Sequence, residues 1–448
     1  MLMDLCGTRT LRVVHGRDAR AANTFCFSHS CLLKEGVLRR SASIFAAILC
    51  VTSASVSIAA PASAPHAGAE QAGTDVLRAR FARLRHGINL SHWFAQAANN
   101  NYSKEHLESH TTAQDIALIK SMGFDHVRFT VEPAPLMNAS DPASLKSDYL
   151  RYFDAALDMI LGQRLAVIVD IHPSDEFKLR LKDDRQVENF AKFWRALAQH
   201  VSNRDPEMVF LETINEPMVE DPYRWFGIQA RLVAAIRAGA PHHTIIVSGH
   251  RWSGLWEMLA LEPYADPNII YNFHYYEPFA FTHQGANWAG PNLQFYRNVP
   301  YPSSPESVAT ILDTINDEPA RLNLVHYGQD RWNAERIDRD IGMAADWGAK
   351  HHVPVTCNEF GAYRRFSNPA DRARWIADMR AALEKHGIGW TMWDYAGGFS
   401  VVNKVDGHAT PDVETVNALG LGRTSALAQS STGVPPVNHA QDARATMR

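Results

Sequence analysis

A closed (β/α)8 barrel, an α/β fold, is the class that this sequence predicts, and three observations carry the prediction. From residue 84 onward, short apolar runs alternate with segments of helical period, which implies parallel strands joined by helical crossovers. Eight such runs can be read, the number that closes a parallel sheet on itself. No glycine-rich turn follows the first run, which argues against the open, doubly wound sheet that binds dinucleotides.

Taken in order, the apolar runs ending in polar residues occupy 86–94, 125–132, 165–173, 208–217, 244–250, 269–278, 353–361 and 389–396. Between the first two, Thr112 with Asp115 reads as the capped start of a helix that reaches Met122 and stops at Gly123. Residues 148–161 carry Leu150, Phe153, Leu157 and Ile160 at helical spacing, with Gly162 as the expected stop. Further helices are expected over 187–201, 223–239, 335–350 and 369–386. Residues 279–334 form a long insertion between the sixth and seventh strands, rich in Asn, Pro, Gly and aromatics. Loops of that length in a compact domain are functional or disordered, and a place after a strand end favours function.

The barrel is flanked by two segments of different character. Arg39 and Arg40, the apolar stretch from Ile44 to Ile58 and the small residues up to Ala69 read as an export signal. The stretch is too short, and too rich in Ser and Thr, for a membrane span. The expected organisation is a leader over 1–36, either genuine or the product of a start misassigned upstream of Val37, and a signal peptide over 37–69. One catalytic domain over 70–423 and a disordered, small and polar tail over 424–448 follow. The mature chain is then secreted or periplasmic, monomeric and without a membrane span. Cleavage removes Cys6, Cys26, Cys31 and Cys50, leaving Cys357 without an internal disulfide partner. A net charge of -4 offers no basic surface for nucleic acid. The 11 Trp, several in loops after strands, suit flat ligands such as sugar rings.

In such barrels chemistry sits at the C-terminal ends of the strands. Those ends deliver Asn89 to Trp93, Arg128 to Thr130, Asp170 to His172, Asn215 to Pro217, Ser248 to His250, His274 to Tyr276, Asn358 to Gly361 and Trp390 to Asp394. Glu216 and Glu359 stand out among them. Glycoside hydrolysis needs two carboxyl groups, one to protonate the leaving oxygen and one to attack carbon or activate water. Asn215 can hydrogen-bond a sugar hydroxyl beside the reacting carbon, Pro217 stops the strand, and Gly361 lets the backbone after Glu359 turn sharply. Glu212, inside the strand, reads as structural.

The segment Leu211-Glu212-Thr213-Ile214-Asn215-Glu216-Pro217 resembles the signature of glycoside hydrolase family 5, the cellulase family of retaining barrel glycosidases, and the likeness covers roughly residues 80–422. The resemblance implies Glu216 as acid/base and Glu359 as nucleophile. It implies contact of Asn215 with the 2-hydroxyl, support of the nucleophile by Arg128, and a glycone subsite lined by His172. His274 and Tyr276 would order the carboxylates, and Trp393 would form a stacking floor. His92, Trp93 and Trp288 complete the candidate substrate contacts. No metal and no cofactor are implied, and the substrate is a β-1,4-linked glucan cut internally by double displacement, with mannan and β-1,3-glucan as alternatives. The insertion lies outside the family's common pattern. Two readings of other classes stand beside this one. A metal-dependent barrel hydrolase would use His92, His172 and His274, although the first strand lacks a His-x-His pair. An inactive carbohydrate-binding protein would not need two acids in one cleft.

Overall fold

The computed structural model describes residues 75–422, so the expected leader, signal peptide and tail lie outside the described residues. Eight parallel strands close into a barrel in sequence order, the first pairing with both the second and the eighth. In chain order the framework is β1 (His86–Phe94), α1 (Ala113–Met122), β2 (His126–Val131), α2 (Ser147–Gly162), β3 (Ala166–Ile171) and α3 (Asp184–Val201). There follow β4 (Val209–Glu212), α4 (Pro222–Gly239), β5 (Thr244–Ser248), α5 (Leu255–Leu259), β6 (Ile269–Tyr275) and α6 (Ala334–His351). The circuit closes with β7 (Val355–Phe360), α7 (Pro369–Lys385), β8 (Gly389–Met392) and α8 (Val413–Ala418). A hairpin of β9 (Val402–Val405) and β10 (His408–Pro411), not anticipated from the sequence, precedes α8.

Strands β2 to β8 are buried along their whole length, because helices cover the outside and side chains fill the inside. Helix α1 begins with the reciprocal cap of Thr112 and Asp115 and ends at Gly123 in the left-handed region, φ 105°. Helix α2 buries Tyr149, Phe153, Ala156, Leu157 and Ile160, while Leu150 is only half-buried. The helix ends at Gly162 as expected, but the positive φ, 55°, falls two residues later at Arg164. An unanticipated helix over 75–81 closes the N-terminal end of the barrel, packing Leu77 and Phe81 with Leu84 against Ala166, Ile168, Phe210, Ile246 and Ile270.

The insertion is structured. It carries helices Phe279–Thr282, Pro305–Leu312 and Glu318–Asp330. Tyr301, fully buried, ties it to α7 by donating to Asp378 at 2.9 Å, and Gln284 accepts from the Val299 N–H at 2.8 Å. Among the described residues, no helix is long and apolar enough to cross a membrane.

Candidate active site

Regular strands send consecutive side chains to opposite faces. At the ends of β4 and β7, two consecutive Asn-Glu pairs break that alternation, and both members of each turn into the buried polar network at the strand ends. After β4, Glu216 adopts φ 44°, a left-handed conformation that costs a non-glycine residue on the order of 1–3 kcal/mol and recurs at functional sites. On β7 the ladder with β6 runs Phe273 to Cys357 and then His274 to Glu359, skipping Asn358. The ladder with β8 is irregular at the same place. Such bulges re-aim side chains. Here the bulge sends Asn358 to Glu212, to which it donates at 2.8 Å, and Glu359 to Arg128.

Arg128 is the hub, with no exposed surface. Its Nη1 donates to Glu359 Oε1 at 2.6 Å and to Asn89 Oδ1 at 3.0 Å. Its Nε and Nη2 grip both oxygens of Glu212, at 3.0 and 2.8 Å, and Nη2 also donates to Asn215 Oδ1 at 2.9 Å. Burial opposes the charge, but Asp170, Glu212 and Glu359 hold the guanidinium well above its ordinary value, so it stays charged. Glu212 also accepts from Asn272 at 3.2 Å. Its structural reading from sequence therefore becomes specific, because it fixes the plane of the guanidinium.

The two carboxylates differ in surroundings. Glu359, its side chain 5% exposed, takes Arg128 on one oxygen and the Tyr276 hydroxyl, at 3.0 Å, on the other. Burial raises its pKa above the ordinary carboxylate value, against the pull of the Arg128 guanidinium. Glu216, 23% exposed, faces His274 Nδ1 at 3.1 Å, and the same nitrogen lies 3.6 Å from Glu359. Burial pushes His274 down to about 4, so the ring is neutral at neutral pH. Its Nδ1 lies between the two carboxylates, where it can pass a proton to either or take one. Tyr276 is raised well above its ordinary value by burial and by Glu359, and stays a donor.

His172 lies beneath the rim, its ring stacked on Trp393 with centroids 5.6 Å apart at 21°. From Tyr276 a series of rings leads outward. Tyr276 meets His283 edge-on at 5.0 Å, and His283 meets Trp288 at 5.5 Å. Trp288 is 63% exposed and also flanks Phe399 and Tyr363, which places the insertion at the mouth of the barrel.

Of the residues expected at the site, Arg128, His172, Asn215, Glu216, His274, Tyr276, Glu359 and Trp393 are brought together, and Trp288 stands at the rim. Trp93 is a correction. It is 1% exposed, packs against Phe94 and Phe129, and donates its indole N–H to the Leu107 carbonyl, so it belongs to the core and cannot meet a substrate. His92, at φ 61°, bonds the Gln96 carbonyl at 3.1 Å and lies against Gly397 in the loop after β8. The three histidines of the metal reading do not converge. Both ring nitrogens of His172 are engaged, by Asp170 and Asn215. Among the described residues, the one group with ligand atoms gathered together is Glu216, His274 and Glu359, within 4.8 Å of one another.

Sequence reasoning placed Asn89, Asp170 and Asn358 at strand ends without giving them a role, and passed over Asn272. A usable signal was present: Asp170 sits two residues before His172, on the same strand face, and polar residues buried inside a barrel must pair with one another.

The sequence model described as cellulase, glycosyl hydrolase family 5, matches residues 87–398. The chain is 28% identical over 316 residues to Endoglucanase C of Acetivibrio thermocellus, covering 69% of this chain and 90% of that protein. It is 25% identical over 312 residues to Cellodextrinase A of Ruminococcus flavefaciens, covering 67% and 82%. Its fold is similar to that of endoglucanase Cel5A from Thermotoga maritima, with a TM-score of 0.63 at 24% identity over 77% of this chain and 99% of that one. A family match spanning the whole barrel, from β1 to the loop after β8, establishes that this chain, a glycoside hydrolase, belongs to glycosyl hydrolase family 5.

Proposed function

We propose that the enzyme cuts β-1,4-linked glucan internally and with retention, as an exported protein. The observation that carries the mechanism is the closeness of the two carboxylates, which have oxygens within 4.8 Å of each other. Retaining glycosidases hold their carboxyl groups ~5–5.5 Å apart, and inverting ones ~6.5–9.5 Å apart to admit a water. The difference in surroundings supports the division of labour. Glu359 has a cation and a hydroxyl on its two oxygens, which favour its ionised form and aim it, as a nucleophile requires. Glu216 is more exposed and has a single donor, which suits a group that must pass a proton to the leaving oxygen and take one from water.

In the first step a Glu359 oxygen bonds to the anomeric carbon while the bond to the leaving oxygen breaks, and Glu216 supplies that oxygen's proton. In the second, Glu216 removes a proton from water, the water oxygen attacks the same carbon, and the bond to Glu359 breaks. Asn215 meets the 2-hydroxyl, Trp393 and His172 underlie the glycone, and Trp288 extends the binding surface at the rim.

The endoglucanase names of the relatives support β-glucan as substrate. A reducing-end assay on carboxymethylcellulose, galactomannan and laminarin tests this. Release of new ends is expected from carboxymethylcellulose foremost, with a rapid fall in viscosity. Activity confined to galactomannan or laminarin would overturn the β-1,4-glucan reading. Export rests on the apolar run Ile44 to Ile58 after Arg39 and Arg40.

A further inference from the structure

A guanidinium can only donate hydrogen bonds. The Asn215 atom 2.9 Å from Arg128 Nη2 is therefore the carbonyl Oδ1, and the amide nitrogen must face His172 Nε2, 3.0 Å away. An amide nitrogen in turn only donates, so Nε2 is bare and the single proton of the neutral imidazole sits on Nδ1. There Asp170 Oδ2 accepts it at 2.9 Å. One hydrogen of the Asn215 amide is used on His172, and the other has no acceptor among the described residues.

The polarity of this series is vulnerable at one place. A proton on Nε2 would set an N–H against the Asn215 amide. Turning the amide over would then press its nitrogen against the guanidinium. The acceptor behind Nδ1 excludes both outcomes. Asp170 has no exposed surface, and its Oδ2 also lies 3.1 Å from Arg128 Nη2. Asp170, Arg128, Lys178, Glu216 and His274 are the titratable groups around His172. Burial and the two cations Lys178 and Arg128 keep the ring neutral.

We propose that Asp170 is a positioning residue of the hydrolytic reaction: by fixing the His172 tautomer it sets the direction of the Asn215 amide donor that the substrate's 2-hydroxyl meets. The proposal rests on the glycosidase reading of Asn215 given above. It differs from a role for Asp170 as a charge partner of Arg128 alone, which would act on Glu359 and ignore the 2-hydroxyl.

The test compares wild type, Asp170→Ala and Asp170→Asn on an aryl β-cellobioside with a good leaving group and on its analogue lacking the 2-hydroxyl of the reacting ring. Asp170→Ala should lose about 10- to 100-fold in kcat/KM on the parent, the usual range for removing an outer hydrogen-bond partner, and less than about 3-fold on the deoxy analogue. Asp170→Asn keeps an acceptor oxygen and should recover most of the loss. Its amide nitrogen then stands where Oδ1 has no partner among the described residues, which should lower Tm. Equal losses on both glycosides would overturn the proposal in favour of the charge-partner role. Nitrogen-15 NMR of His172 in the wild-type enzyme decides the matter even where Asp170→Ala does not fold. A proton on Nδ1 alone is expected, and a ring protonated on Nε2 contradicts the proposal. Failure of the underlying glycosidase reading looks different, since the wild-type enzyme would then cleave neither glycoside.

Discussion

Glu359 meets one donor on each oxygen, and the two donors are not equivalent. Arg128 is locked by Glu212 and Asn89, whereas Tyr276 is a neutral hydroxyl just past the end of the neighbouring strand β6. Removing the hydroxyl weakens only the ionised form of Glu359, so its pKa must rise. Tyr276→Phe should therefore move the acid limb of the kcat/KM–pH profile upward by about 1 unit, the equivalent of one hydrogen bond to a charged group. A limb that stays in place or moves down would mean that the hydroxyl does not act on the nucleophile. Much of this residue-scale picture was legible in the sequence. Glu216, Glu359, Arg128, His274 and Tyr276 all lie where polar residues end apolar runs, and the structure gathers them. Trp93 misled because a tryptophan at a strand end was read as a platform, and a one-residue difference in facing decides between cleft and core. Facing could not be read there because β1 shifts register between Leu90 and Phe94.

At the scale of elements, all eight strands and the main helices follow from periodicity, since burial on a barrel demands it. The departures from periodicity were not legible, and they aim the catalytic groups: the left-handed Glu216 and the skipped Asn358 arise from contacts between strands far apart in sequence. The helices of the insertion did carry a local signal. Ser304-Pro305 and Asp317 with Pro319 are each a capping side chain followed by proline in the first turn. Gly361 was expected to permit a sharp turn after Glu359, but it is not among the glycines with positive φ. Its role is clearance. A Cβ there would lie 2.4 Å from the Trp393 carbonyl oxygen, a backbone atom that cannot swing aside. Gly361→Ala should push the ends of β7 and β8 apart, destabilising the protein by about 1–3 kcal/mol and lowering kcat/KM. Urea denaturation and initial rates measure both effects, and a variant matching wild type in each would show that the strand ends are not tightly registered.

For the whole molecule, the reacting end and the closed end of the barrel obey different pH rules. At the closed end His243 is 1% exposed and lies near Arg80 and Arg237, with the Arg204 backbone alone among the described residues as a weak partner favouring its charged form. Burial, with those cations, pushes its pKa from 6.5 down to about 4. A folded-state value below the unfolded one means that the unfolded chain takes up a proton first as pH falls. The associated stability is intact above about 6.5 and is lost progressively as pH falls through about 4. His243→Leu should therefore gain ~1–2 kcal/mol relative to wild type between pH 8 and pH 5. A constant difference in urea-unfolding free energy across that range would refute the assignment. At the open end, the account depends on two carboxylates too close to admit a water between nucleophile and sugar. The direct test is proton NMR of the anomer first released from a soluble β-1,4-glucan, followed before mutarotation. Double displacement releases the β-anomer first, from two inversions at one carbon. An α-anomer appearing first would establish a single displacement by water and remove Glu359 from the nucleophile's role.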